Sequence, residues 1–409
     1  MKIRQKLVVL HRYVGLVMAS FLIITSLTGV VLVWYHELDT WIHEQSFPSN
    51  LADKSFPPLS DFELRQKVDD KFPDGSVNWM LLHQPSSPDV TLFLIEPKTQ
   101  PDGTKMKLGF NEIFVDRRDG EILATRQWGD ISQGSINLIP FLYRLHESLT
   151  LGRVGTYILG VISILWLLDC FTGIVLTFPA KSKSKTSRLK RWGKAWKVRW
   201  WGGRHKITFD LHTAGSLWAW ICLSIFALSS FAMTLQYEVY FPTMSTMMEF
   251  KLPPRLKEVE LAQQKTSPEM GWEKGYQTAA RYLESLSKEK GFEIIAHERM
   301  EYYPHKNTFR LMSRTNLDIN DIYGQSWVYV DASTGEERGY FLPTSMATGN
   351  TFTLWLNTLH IARIWGIPYR IAVTIIGLFV AMITITGVLI WWRKKKAKQP
   401  KFKETKKAS

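Results

Sequence analysis

The chain has 409 residues, of which 22% are charged and 45% hydrophobic, with 17 Trp and a formal net charge of +14. That balance fits a protein partly in a membrane and partly in water. Residues 1–12, residues 181–206 and the stretch after Trp392 hold 24 of the 51 Lys and Arg, leaving 27 basic against 36 acidic residues elsewhere. The positive charge therefore reports membrane topology and gives a nucleic-acid partner little support.

Four runs, Val14 to Tyr35, Val154 to Pro179, Leu211 to Tyr237 and Ile371 to Trp392, are each at least 20 residues long and nearly free of charge. A helix of that length crosses about 30 Å of hydrocarbon at about 1.5 Å per residue. The first run is too long for a signal peptide and carries "VVLVWYHE" where small residues should precede cleavage, so it is expected to stay attached. In chain order the expectation is a cytoplasmic N-terminus and first transmembrane helix over 1–39, an external module over 40–140, and a second helix over 141–180. A basic cytoplasmic loop over 181–206, a third helix over 207–239, a second external module over 240–352, a fourth helix over 353–392 and a basic cytoplasmic tail over 393–409 follow.

The cytoplasmic assignment rests on charge: residues 181–206 hold eleven Lys and Arg and no acid, and the tail holds nine against one Glu. Trp192, Trp196 and Trp200 recur every fourth residue, which predicts a short interfacial helix on an anionic leaflet. Both external stretches combine a helix-like segment with short alternating strands. "NEIFVDRRDGEI" (111–122) and "QSWVYVDASTGEE" (325–337) both read as a strand, an Asp, a turn at Gly and a returning strand.

The chain thus reads as an α-helical membrane protein with four transmembrane helices in two repeated units, each carrying one external α+β module. "LHRYVG" opens the first span and "LHTAGS" the third, and His11 to Glu37 equals His212 to Glu238 at 26 residues. "LHESLTLG" (145–152) and "LHIARIWG" (359–366) precede the second and fourth spans. His146 and His360 are each followed 27 residues later by the Gly of a Thr-Gly pair, Gly173 and Gly387. Thr28 and Gly29 of the first span correspond to Ser229 and Ser230 of the third.

His11 and His212 fall at the cytoplasmic edge and His146 and His360 at the outer edge. Two imidazoles facing across a helical bundle are the usual ligands of a six-coordinate b-type haem, which passes single electrons. Two pairs predict two haems, His11 with His212 and His146 with His360. Gly15, Gly152, Gly215 and Gly366 would let a flat macrocycle approach the backbone, and Arg12, Arg144, Arg153, Arg363 and Arg370 are candidate propionate partners. There is no "CxxCH", and the two cysteines, Cys170 and Cys222, lie inside spans, so the haem would be non-covalent. His36, His43 and His205 are alternative ligands, whereas His83, His297 and His305 belong to the external modules.

Asp169 is the one acid inside a span, and its counterpart 23 residues after His360 is Ile383. An intramembrane acid is costly; it reads either as a proton or quinol site, or a balance to haem charge, or as a hydrogen-bonded structural group near Thr172 or another helix. Met244, Met247 and Met248 could hold Cu(I) as soft thioethers or pack on the membrane surface, the plainer reading.

These residues resemble the PepSY-associated transmembrane family, which includes iron-regulated inner-membrane ferrisiderophore reductases. The resemblance rests on "LHRYVGLVMASFLIITSLTGVVLVW", "LHESLTLGRVGTYILGVISILWLLDCFTGIVLTF", "LHIARIWGIPYRIAVTIIGLFVAMITITGVLIWW" and the "VDRRDGE" and "VDASTGEE" turns. It implies PepSY-like periplasmic modules and a bacterial inner-membrane oxidoreductase of iron uptake. Such a protein is a transmembrane haem-dependent ferric-siderophore reductase that takes electrons from the cytoplasmic side and releases Fe(II) in the periplasm. No G-x-G-x-x-G follows a strand, so the expected donor is a separate flavoprotein or a membrane quinol. The competing readings are a permease for siderophore or metal, iron or copper, for which only Asp169 offers a polar path, and a non-catalytic PepSY envelope binding protein.

Overall fold

The computed structural model describes residues 3–45, 47, 57–82, 89–100, 103–180, 186–259 and 267–397. His83, residues 181–185 of the basic loop and residues 398–409 of the tail lie outside them. The first elements are helices α1 (Ile3–Leu32), α2 (Tyr35–Glu44) and α3 (Asp61–Lys71), then strands β1 (Gly75–Leu81), β2 (Val90–Pro97), β3 (Glu112–Asp116) and β4 (Ile122–Arg126). Helices α4 (Leu138–Ser148), α5 (Arg153–Thr177), α6 (Arg188–Trp192), α7 (Gly203–Thr234), α8 (Phe241–Met244) and α9 (Trp272–Lys290) follow. The chain continues with strands β5 (Ile294–Tyr303), β6 (Thr308–Thr315), β7 (Ser326–Asp331) and β8 (Glu337–Phe341), and with helices α10 (Thr348–His360) and α11 (Gly366–Ala397). These elements form two units, one of Met1–Val33, Arg144–Tyr240 and Ile367–Ser409, the other of Trp34–Tyr143 and Phe241–Gly366.

The first unit is built on α1, α5, α7 and α11, of 30, 25, 32 and 32 residues, each apolar enough to span a membrane. Its surface is apolar where a soluble bundle would be charged: Val17, Val161, Leu168, Ile221 and Ile375 are all more than half exposed. Such a surface is satisfied by lipid, while the helices keep every backbone bond internal. Inside, Cys170, Ala219, Leu223, Val380 and Ile383 form one cluster of α5, α7 and α11, and Met18, Leu22 and Ile162 another between α1 and α5. Helix α1 begins eleven residues before the apolar run because its basic first turns have partners. Arg4 donates to the carbonyls of Leu176 and Phe178 at 2.8 and 2.9 Å, satisfying the C-terminal end of α5.

Two expected single spans are interrupted. Between α4 and α5 the chain turns through Leu149, Thr150 and Gly152, with φ of 53°, 60° and 57°, and between α10 and α11 through Ala362, Trp365 and Gly366, with φ of 56°, 57° and 61°. For non-glycine residues this left-handed conformation costs roughly 1–2 kcal/mol each. Both interruptions fall directly after the histidines His146 and His360.

The single helix expected through Trp192, Trp196 and Trp200 does not form. Helix α6 ends at Trp192, a 3₁₀ turn covers Gly193–Trp196, and Lys197 is extended. Asp210 of α7 draws the following segment away from helical geometry by accepting from the backbone N and Nε of Arg199 at 3.1 and 2.7 Å. Trp192 stacks on Phe178 at 4.3 Å, whereas Trp200 and Trp201 are exposed.

The second unit holds one antiparallel sheet of eight strands in the order β4-β3-β2-β1-β5-β6-β7-β8. The two external stretches, expected as separate modules, therefore share a sheet. They are joined through β1 and β5, where Met80 pairs with Met300. The alternation expected of a half-buried sheet puts Met80, Phe93, Ile113, Met300, Phe309 and Val328 on one face, where Leu64 and Val68 of α3 and Leu283 and Leu286 of α9 cover them. Helix α3 starts with a reciprocal cap between Ser60 and Glu63.

The two Asp-to-Gly turns match bond for bond. Asp116 N donates to the Glu121 carbonyl and Gly120 N to the Asp116 carbonyl, at 2.9 and 3.0 Å; Asp331 N and Gly335 N do the same with Glu336 and Asp331, at 2.8 and 3.0 Å. Gly120 and Gly335 both have φ of 79°, the conformation that requires glycine there.

A buried charge cluster ties α2 to the sheet edge. Arg126 donates to both oxygens of Asp39 at 2.9 Å, to Glu112 at 2.5 Å and to the carbonyl of Ile136 at 2.7 Å. Burial pushes the Asp39 carboxyl up, but the neighbouring His43 and Arg126 more than offset this and hold it below the usual range. For Glu112 burial dominates over Arg126, and its carboxyl is raised.

Candidate functional site

His11 and His212 come together. Each lies between two and three turns into its helix, α1 and α7, and their ring centroids are 6.1 Å apart with planes at 53°. His212 Nδ1 donates to the carbonyl of Ile383 at 2.9 Å, and His11 Nδ1 to the carboxylate of Asp169 at 2.9 Å. A carbonyl or carboxylate oxygen only accepts, so Nδ1 carries a proton in both rings and Nε2 is the nitrogen left to face a metal. Two metal–imidazole bonds of about 2 Å, plus roughly 1 Å from each nitrogen to its ring centre, put the centroids of a bis-imidazole complex about 6 Å apart. The pair fits a haem iron in spacing and in tautomer.

His146 is prepared in the same way. Its Nδ1 lies 2.9 Å from the carbonyl of Thr25 and 3.1 Å from the hydroxyl of Thr28. His360 is the last residue of α10, half-buried, and belongs to the sheet-containing unit.

A rule connects the three placed rings. Each stands against the glycine of a Thr-Gly pair: a Cβ would lie 3.0 Å from Cε1 of His146 at Gly29, 3.0 Å from Cε1 of His212 at Gly387 and 3.8 Å from Cε1 of His11 at Gly173. Each Nδ1 then bonds to a residue one turn before that glycine, namely Thr25, Ile383 or Asp169. Two of these acceptors are backbone carbonyls; the third is a side-chain carboxylate. In the sequence the Thr-Gly pairs mark register and nothing more. Asp169, which the sequence offers as a proton or quinol site, a balance to haem charge or a structural hydrogen-bonding group, is the hydrogen-bond partner of His11.

Of the glycines expected to admit a macrocycle, Gly15 has open space at its Cβ position, and Gly215 is packed at 3.4 Å from Met382 and Phe379. Gly152 and Gly366 serve as left-handed turn residues. Arg12 and Arg144 are half-buried. Arg153 donates to the Tyr157 hydroxyl at 2.8 Å and lies 3.6 Å from Glu238, while the buried Arg370 donates to the carbonyl of Val33 from Nε and Nη2 at 3.1 and 2.8 Å. Arg363 is buried in the other unit.

Of the alternative ligands, His36 and His205 are exposed, and His43 is buried against Phe114 at 4.7 Å. His297 bonds through Nδ1 to the Ser313 hydroxyl at 2.8 Å, and His305 lies beside Tyr303. Met247 is 76% exposed. Among the described residues no group of three or more His, Cys, Asp or Glu could hold a metal ion.

Fold and site define a four-helix membrane protein with a paired-histidine centre and a large antiparallel sheet unit. The family model for the PepSY-associated TM region matches residues 8–394, and the chain belongs to that family. No curated protein matches it.

Proposed function

We propose that this protein is a di-haem b oxidoreductase of the bacterial inner membrane that reduces a ferric siderophore in the periplasm and releases Fe(II). The observation that carries the reading is the 6.1 Å approach of His11 and His212 with both Nδ1 atoms already bonded. The second haem rests on the repeated histidine register, and His146, with its Nδ1 on a carbonyl, has the same preparation as His212. Haem held by these histidines would supply one-electron chemistry.

The protein's own residues have the other tasks. Asp169 and the Ile383 carbonyl hold the two rings in orientation. The positive-inside pattern puts both chain ends and residues 181–206 on the cytoplasmic side, where a flavoprotein could dock, while a quinol would arrive through the bilayer. The sheet unit then lies in the periplasm. Hard oxygen chelators hold Fe(III) better than the softer Fe(II), so one added electron loosens the substrate without breaking a covalent bond.

The test is anaerobic reduction of ferric chelates by the protein in liposomes charged with a quinol inside, read by a ferrous-specific dye outside. Fe(II) release by the wild type and its loss in His212→Ala supports the reading. A haem-loaded wild type that releases no more Fe(II) than protein-free liposomes, across hydroxamate, catecholate and carboxylate chelates, overturns it.

A further inference from the structure

The two rings of the inner pair differ in what they donate to. His212 bonds to a backbone carbonyl and His11 to the carboxylate of Asp169, although Asp169 and Ile383 occupy corresponding places, each one turn before the glycine of a Thr-Gly pair. His146 also uses a carbonyl. The chain has thus replaced a group the helix backbone provides at no cost with a carboxylate inside a membrane span, where an acid is expensive. The side chain of Asp169 is only 11% exposed, so its interaction with the imidazole is weakly screened.

We propose that Asp169 is a positioning residue that lowers the reduction potential of the haem held by His11 and His212; the inference rests on the haem reading above. A carboxylate acceptor makes a stronger, charge-assisted hydrogen bond than a carbonyl and draws the Nδ1 proton toward itself. The ring gains imidazolate character and donates more electron density through Nε2, which favours Fe(III) over Fe(II). The change is one electron at the iron, with the proton retained between His11 and Asp169 and no bond broken. The inner centre then becomes the low-potential end of the path, and electron flow away from the cytoplasmic side runs downhill.

The experiment is a spectroelectrochemical titration of the full-length haem-loaded protein in nanodiscs, wild type against Asp169→Asn and Asp169→Glu. In Asp169→Asn one of the two haem steps moves to higher potential by a tenfold change in ferric preference or more, which is 59 mV for one electron, and the other step stays. Asp169→Glu, which keeps a carboxylate, stays near the wild type. A haem-replete Asp169→Asn with both steps unchanged overturns the proposal, whereas a wild type without haem overturns the haem reading instead. If Asp169→Asn does not retain haem, the near-infrared charge-transfer band of the ferric wild type decides. A component displaced as imidazolate ligation requires supports the proposal, and only neutral bis-imidazole bands overturn it.

Discussion

His212 lies directly against Gly387: a methyl group added to that glycine would stand 3.0 Å from the imidazole Cε1. The same holds for His146 and Gly29, while Gly173 leaves His11 an ordinary 3.8 Å. Helix α11 therefore seats the ring of α7 through the absence of a side chain, and its own backbone carbonyl at Ile383 fixes the ring's orientation.

The three glycines should respond differently to the same methyl group. Gly387→Ala displaces His212 and Gly29→Ala displaces His146, each at an overpacking cost of about 1–3 kcal/mol, and each should lose haem. Gly173→Ala should keep the wild-type haem content. Haem-to-protein ratios of the three purified variants check this, and equal retention in all three would contradict the contact geometry.

Arg126 bonds to two buried carboxylates, Asp39 and Glu112, and His43 lies 3.8 Å from the first of them. Arg126→Met leaves Asp39 and Glu112 buried without it and should destabilise the sheet unit by about 3–5 kcal/mol. The triple variant Asp39→Asn, Glu112→Gln, Arg126→Met should recover most of that loss, because neither a carboxylate nor a guanidinium of the trio then remains buried. Denaturant unfolding followed by tryptophan fluorescence checks both, and a triple variant as unstable as Arg126→Met would contradict the account.

Burial raises Asp318 to about 6 against an ordinary 3.8, although Thr315 and Gln325 backbone groups and the Thr315 hydroxyl donate to it and oppose the shift. A carboxyl raised on folding contributes stability that is complete below the unfolded value and is lost as pH climbs through the folded one. The wild type should therefore lose stability between about pH 4 and pH 6, with a slope of up to about 1.4 kcal/mol per pH unit from this group. The wild-type melting temperature minus that of Asp318→Asn should fall across this window. A difference independent of pH would contradict the shift.

Length and hydropathy alone locate the four spanning helices, since α1, α5, α7 and α11 cover most of each apolar run. The meeting of His11 and His212 follows from repeated register, because a period kept over a whole crossing aligns side chains that the sequence separates widely. The paired Asp-to-Gly turns were equally legible, as their bonds are local.

What stayed hidden is nonlocal. The pairing of Met80 with Met300 joins strands far apart in sequence, and strand alternation says which face is buried but not which neighbour it finds. At both breaks Gly152 and Gly366 stand in the sequence, but the chain already turns left-handed at the non-glycine residues Leu149 and Ala362, which nothing local signals. Asp169 was recognised as costly in its span, but its partner lies on another helix. Trp200 has the right spacing for a helical face but lies past the extended Lys197, where Asp210 holds Arg199.

The most direct measurement is the dithionite-reduced minus oxidised visible spectrum of the detergent-purified protein, with a pyridine haemochrome assay of haem per chain, repeated for His212→Ala. The account predicts b-type bands, two haems per wild-type chain, and one in the variant. A folded wild type expressed with ample haem yet colourless, or a His212→Ala variant with undiminished haem, would contradict the paired-histidine centre.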